Sequence, residues 1–375
     1  MGRGVKASFL PFLVAAILLL AVGCSNALLD YVKKAATEAA NPADPIVGLW
    51  KYTAAGSSGS LPQSKVISYY ANGSFLSSSI SGSSGSYTGG NSWGTWALSS
   101  GTYTMTNWSV PTSLTDPTPV ISTATLSADH STLSVVKTGA SGSTQVFNKV
   151  AAPAAADPIL GLWQYTATGS SGQLPESAAV SFKTDGSTMG SAIFGSPGNY
   201  AGVIYSGAWS VSSGNYTFTV YNAPTSSSDP TPTGAGTGTL SPDHTTFTLV
   251  NTGAYPQTMV YKKVGTPATD PILGLWKYTA AGSSGPYLPV SAVTSFDADG
   301  SAMSGAINGS PGNYAGSIYS VAWSVSSGNY TVTACNTPTS SSDATPITST
   351  ATLSADHTTL TVQTGTSSTA IYVRP

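Results

Sequence analysis

The sequence predicts an all-β protein of 375 residues built as three tandem small antiparallel β-barrels. Three observations lead there. The phrase Asp44-Pro45-Ile46-Val47-Gly48-Leu49-Trp50 returns at 157–163 and at 270–276, 113 residues apart each time, which marks a tandem unit. Within a unit, β-branched and aromatic residues alternate with Ser and Thr between turn pairs, as half-buried strands require. A meander of about eight such strands leaves two unpaired edges unless it closes on itself.

Composition narrows the function. Only 7% of the residues are charged, against roughly 25% in an average soluble protein, and the formal charge is −2. No basic field exists for nucleic acid. With 8 Trp, 19 Tyr and 9 Phe the chain has apolar surface enough to order several small cores. Its two Cys exclude a disulfide framework, and its three His, far apart in sequence, do not suggest a metal cluster; no cofactor is expected.

In chain order, Arg3 and Lys6 precede an uncharged apolar run from Phe9 to Gly23, the layout of a secretory signal over residues 1–23. Residues 24–43 contain ALLDYVKKAATEAA, which predicts a short tether helix ending near Asn41-Pro42. The tetrad Ala21-Val22-Gly23-Cys24 resembles the lipobox of bacterial lipoproteins, and the resemblance implies lipidation at Cys24. Ser25 and Asn26 then resemble outer-membrane sorting, so a cell-envelope protein held on a membrane by its lipid is expected.

The three units are expected at 44–150, 157–264 and 270–375, joined by linkers at Ala151–Ala156 and Gly265–Thr269. In the second unit the alternation predicts strands near 159–166, 178–183, 187–193, 199–205, 206–211, 215–221, 236–240, 245–251 and 257–263. The fourth and fifth are read either as two strands or as one bent strand. Asn72-Gly73, Asp185-Gly186 and Asp299-Gly300 mark one tight hairpin per unit, where positive φ is needed. Tyr216, Phe218 and Val220 alternate with Thr217 and Thr219, so the sheet has an inside.

The Gly-x-Trp phrases ending at Trp50, Trp163 and Trp276, each followed by an Asn/Asp-Gly hairpin and a mid-unit Trp strand, resemble the opening of lipocalin-like barrels. The units also resemble the short lipocalin-like domains of bacterial lipoproteins. The resemblance implies a barrel and a binding module for a small apolar or glycan ligand, while the C-terminal helix and the Arg that pack on this Trp in typical lipocalins are read as lacking. A second arrangement remains open: an immunoglobulin-like β-sandwich, in an adhesin or stalk, with the Pro/Ser segments at 110–120, 223–234 and 337–347 as crossing loops.

Candidate chemical groups are sparse, and the chain is read as non-catalytic. His130, His244 and His357 each follow an Asp in a turn, where Asp129, Asp243 and Asp356 bond their own backbone. Asp297 and Asp299 are read as one side of a hairpin. The run Gly56-Ser57-Ser58-Gly59-Ser60 lacks the strand-to-helix elbow that activates a serine and is read as a low-complexity loop; a hydrolase is the remote alternative. Cys335 stands where the other units have Trp108 and Tyr221, so it carries no shared catalytic role. The aromatic residues Trp50, Trp96, Trp163, Trp209, Trp276 and Trp323 either fill the barrels or line a cavity. Tyr200, Tyr205, Tyr314 and Tyr319 are candidate rim contacts to sugar or lipid.

Overall fold

The computed structural model describes residues 44–137, 142–153, 156–251, 256–265, 269–286, 288–364 and 367–375. The signal, Cys24 and the tether helix expected over 1–43 lie outside them, as do parts of both linkers. Among the described residues there is no helix. Barrel 1 comprises β1 (Gly48–Ser58), β2 (Ser64–Tyr69), β3 (Ser74–Ser81), β4 (Thr88–Ser99), β5 (Thr102–Pro111), β6 (Pro119–Leu126), β7 (Thr132–Lys137) and β8 (Ser143–Lys149). Barrel 2 comprises β9 (Gly161–Ser171), β10 (Ser177–Phe182), β11 (Ser187–Phe194), β12 (Ala201–Ser212), β13 (Asn215–Ser226), β14 (Asp229–Leu240), β15 (Thr246–Asn251) and β16 (Gln257–Lys263). Barrel 3 comprises β17 (Gly274–Ser284), β18 (Ser291–Phe296), β19 (Ser301–Asn308), β20 (Ala315–Ser326), β21 (Asn329–Ser340), β22 (Asp343–Leu353), β23 (Thr359–Thr364) and β24 (Ser368–Val373).

Each strand pairs antiparallel with its sequence neighbours, and the first of each set pairs with the last, so all three sheets close. The sandwich arrangement is thereby overturned, because a sandwich divides its strands between two facing sheets. Residues 199–205 and 206–211 belong to the single strand β12 apart from the turn at 199–200. The Pro/Ser segments are not crossing loops. They are two-stranded arms, in which β5–β6, β13–β14 and β21–β22 run on past the barrel wall. Pro111 pairs with Pro119, Pro224 with Pro232 and Pro338 with Pro346. A two-stranded ribbon has free edges, and a residue without an N–H is tolerated there.

Two local features fix the register. At the expected hairpin only the Gly has positive φ, +85° at Gly73, and its N–H donates to Tyr70 O, making a three-residue loop with a bulge at Gly rather than a two-residue turn. The Gly-Ser-Ser-Gly run, read from sequence as a loop, begins inside β1, where the pairing with β8 shifts. There Ser57 Oγ donates to Thr53 O and accepts from Val146 N, so a side chain repairs the ladder at the bulge. Ser170 and Ser283 do the same in the other barrels.

The three barrels form a closed ring of contacts. The β3–β4 wall of barrel 1 packs on β13 of barrel 2, β11–β12 on β21 of barrel 3, and β19–β20 on β5 of barrel 1. One head-to-tail contact is thus used three times, and its rotation closes. The arm tips clasp the next wall: Ser227 O accepts from Tyr87 N, Ser341 O from Gly198 N and Tyr200 N, and Leu114 O from Gly312 N and Tyr314 N. Leu76, Met189 and Met303 occupy one repeat position and meet in a single buried cluster, together with Trp93 and Val293.

Candidate ligand-binding site

One end of each barrel is plugged. Trp50, Trp163 and Trp276 are fully buried, and each indole N–H donates to the carbonyl four residues earlier, Ile46, Ile159 or Ile272, at 2.6–2.7 Å. The turn before the first strand is thereby folded under the barrel floor. A cation from just beyond or at the end of the last strand covers each ring: Lys149 at 5.2 Å, Lys263 at 5.3 Å and Arg374 at 4.3 Å from the ring centroid. The expectation that the Arg packing on this Trp is lacking is overturned at Trp276, where Arg374 takes that place, and lysines take it in the other two barrels. The Lys at 149 and 263 and the Arg at 374 are the signal that was available, since each closes its unit.

Trp96, Trp209 and Trp323 thicken the same floor. Their indoles donate to the carbonyls of Tyr70, Lys183 and Asp297 at 3.1 Å and pack on Tyr103, Tyr216 and Tyr330. Tyr216 and Tyr330 in turn donate to Asp157 and Asp270. The repeated Trp are thus core.

The opposite end of barrel 2 is hollow. A cavity of about 210 Å³ lies among Phe182, Phe218, Phe247, Leu249 and Met259, with Tyr205, Asn251 and Gln257 as polar groups in its lining. Smaller residues line it at positions where another unit carries larger ones. Ala178 stands where barrel 1 has Lys65, and Thr233, paired with Val220 on the wall, stands where the others have Val120 and Ile347. In barrel 1 the Lys65 ammonium sits at this end, 3.0 Å from Gln145 Oε1 and 5.7 Å from the Phe147 centroid. Burial, with Lys137 adding to it, holds its pKa down to about 7.

Among the expected contact residues, only Tyr205 lines this cavity, while Trp323 lines a second one at the joint of barrels 2 and 3. Tyr200 and Tyr314 lie in the turns gripped by the arms, and Tyr319 packs against the barrel 3 core. The histidines occupy exposed turns at φ near +55°. Asp129 and Asp243, accepting from Ser and Thr of their own turns, titrate at about 2.

A charged cluster that sequence reasoning missed lies where the barrels meet. Tyr70, Lys183 and Asp297 share one repeat position, and Asn72, Asp185 and Asp299 another. Lys183 Nζ lies 2.8 Å from Asp297 and 2.9 Å from Asp299, and Asn72 donates to Asp297 at 2.7 Å. Burial opposes the charge on Asp299, but Lys183 and the Ser181 and Ser301 hydroxyls outweigh it and hold the carboxyl at about 2. Asp185 differs: burial raises its pKa, and its Oδ2 is buried without a hydrogen-bond partner. Asp297 and Asp299 do belong to a hairpin turn, as expected, but they face a lysine of another repeat.

No protein-family model and no curated protein matches this sequence. A solved structure titled as the isotype 1 transferrin binding protein B of serogroup B Neisseria meningitidis aligns at 7% identity with a TM-score of 0.16, over 83% of this chain and 64% of that one. The chain therefore spans less than two thirds of that protein, and a similarity so slight carries no argument.

Proposed function

We propose that the chain is an exported, lipid-anchored lipoprotein of the cell envelope, probed by its environment through barrel 2, which takes up a small, uncharged, apolar molecule without catalysing a reaction. The observation that carries this reading is the apolar cavity of about 210 Å³, whose polar groups sit among apolar walls as in small-ligand sites. An apolar cavity of about 150 Å³ stays dry and binds benzene, so this one has room for a ring system somewhat larger. The ring of barrels is a rigid mount for it, and Cys24 is the attachment to the membrane, with Ser25 and Asn26 favouring the outer one. A closed ring does not favour an extended stalk.

Naphthalene is a suitable probe. It should bind the full chain saturably, and Thr233→Phe, which puts a ring into the space from the position that carries Ile347 in barrel 3, should abolish binding. Absence of saturable binding, or equal binding by Thr233→Phe, refutes the barrel 2 assignment. Labelled fatty acid should appear on the wild type and not on Cys24→Ala; equal labelling refutes the anchor.

A further inference from the structure

The three joints of the ring are built alike and filled differently. Each arm carries one residue that projects into a socket on the next barrel. Trp108 packs with Leu275 and Val293 of barrel 3, Tyr221 with Leu49 and Val66 of barrel 1, and Cys335 with Leu162 and Ala179 of barrel 2. The knobs are equivalent in the repeat, and so are the socket residues. Two sockets therefore hold an aromatic ring. The third holds a thiol.

Both sides of that third joint have shrunk. The knob falls from Trp or Tyr to Cys, and the wall from Val66 and Val293 to Ala179. The cation is gone as well: Lys277 lies 5.4 Å from the Trp108 centroid and Lys51 5.8 Å from that of Tyr221, whereas Gln164 stands at this place in barrel 2. The barrels have not collapsed to close the gap. A cavity of about 200 Å³ remains, lined by Leu162, Ala179, Val264 and Cys335 with Gln164 and Thr333 among its polar groups. Dense packing is the rule in protein interiors, so a void of this size at a joint whose two counterparts hold an aromatic ring departs from that rule.

We propose that this joint is a binding site for a small, neutral, planar aromatic molecule, of the size of indole or a phenol, which occupies the socket as the Trp108 and Tyr221 side chains occupy the other two. The fold itself supplies the evidence for shape, since a socket of this design accepts an indole at one joint and a phenol at another. The volume exceeds the roughly 150 Å³ that holds benzene. The missing lysine removes the site's positive charge, so an anionic aromatic has no partner, while the Gln164 amide and Thr333 hydroxyl remain for a single N–H or O–H. Cys335 lies at the wall of the site, its thiol 3.5 Å from Thr333 O. Burial pushes that thiol up to about 11, so it alkylates slowly and its rate reports access to the cavity.

The proposal is independent of the barrel 2 cavity, and its test is arranged to stay so. In the full-length Thr233→Phe variant, Cys335 is alkylated with iodoacetamide with and without indole, and modification is read by peptide mass mapping, which separates it from Cys24. Saturating indole should slow modification of Cys335 by about tenfold or more, equivalent to about 1.4 kcal/mol of protection. An unchanged rate up to the solubility of indole overturns the proposal and leaves a water-filled joint. As a second readout, indole should raise the unfolding temperature of Thr233→Phe but not of the same chain carrying Cys335→Trp. If the added Trp prevents folding, Cys335→Tyr, the residue of barrel 2 at this position, serves instead. A thermal shift that persists with the socket filled also overturns the proposal.

Discussion

Gly89 and Gly90 are adjacent in β4, and the ring predicts that the same substitution at each has opposite effects. A Cβ at Gly89 falls 1.7 Å from Asn222 O, on the arm of the neighbouring barrel, whereas one at Gly90 meets nothing within 4 Å. Gly202 and Gly316 stand in the same relation to Asn336 O and Ser109 O, also at 1.7 Å, so the close approach belongs to every joint. Backbone cannot swing aside as a side chain tip can; the arm has to withdraw by more than about an ångström, and overpacking of this kind costs about 1–3 kcal/mol. At Gly90 the added methyl only restricts the unfolded chain, and replacing a strand glycine by alanine contributes about 0.5–1 kcal/mol. Urea unfolding followed by Trp fluorescence should therefore place Gly89→Ala below the wild type and Gly90→Ala above it. The two variants contain the same added atoms on neighbouring residues of one strand, so propensity and composition cancel. Equal stability of the two, or a gain at Gly89, would refute the ring as drawn.

Other substitutions test the charged groups. Lys183→Met leaves Asp297 and Asp299, whose side chains are 22% and 15% exposed, without their cation and should cost about 3–5 kcal/mol in urea unfolding, with partial recovery when both Asp become Asn. Asp185→Asn removes a buried carboxylate with one unpaired oxygen and should stabilise by about 1 kcal/mol at pH 7. Because the folded pKa of Asp185 is raised, its cost is present above that value and fades as pH falls through it towards the unfolded one, so the gain should vanish near pH 3. Lys65 titrates at about 7 when folded against 10.5 otherwise, so the unfolded chain binds more protons between those values and wild-type stability should rise from pH 7 to 10, by at most about 1.4 kcal/mol per pH unit. Lys65→Met should flatten that rise, as read by unfolding midpoints across the range.

The barrel was legible because its causes are local. Alternation of apolar and polar residues, the Gly at each turn and the Trp after each Gly are properties of neighbouring residues, and three copies repeat them. The joints were not legible, because a residue's meaning there depends on a partner more than a hundred positions away. Gly202 reads as an ordinary residue of the strand expected at 199–205 until the arm carbonyl beside it is seen. Trp108, Tyr221 and Cys335 are visible in the sequence as one repeat position, but their part as knobs shows only when each is found in a socket. The hollow in barrel 2 was hidden for a different reason: it is made by residues that are small, Ala178 and Thr233 among them, and the sequence draws the eye to the aromatic rings instead.

The central cluster also bears on why the three units share one chain. Three identical barrels joined head to tail would bring three copies of each residue to the place where they meet. Three lysines at the position of Lys183, or three aspartates at that of Asp297, would put like charges together at a half-buried site, which is destabilising however well the walls fit. In the fused chain the same position is Tyr70, Lys183 and Asp297, one neutral, one positive and one negative, and the neighbouring position is Asn72, Asp185 and Asp299. The charges can then pair across repeats, as Lys183 does with Asp297 and Asp299. The same freedom operates at the joints, where one socket has exchanged its ring for a cavity while the other two keep theirs. A single gene for three barrels thus permits differences that a symmetric trimer would have to make three times over, and those differences, rather than the repeated tryptophans, mark where this protein departs from a purely structural ring.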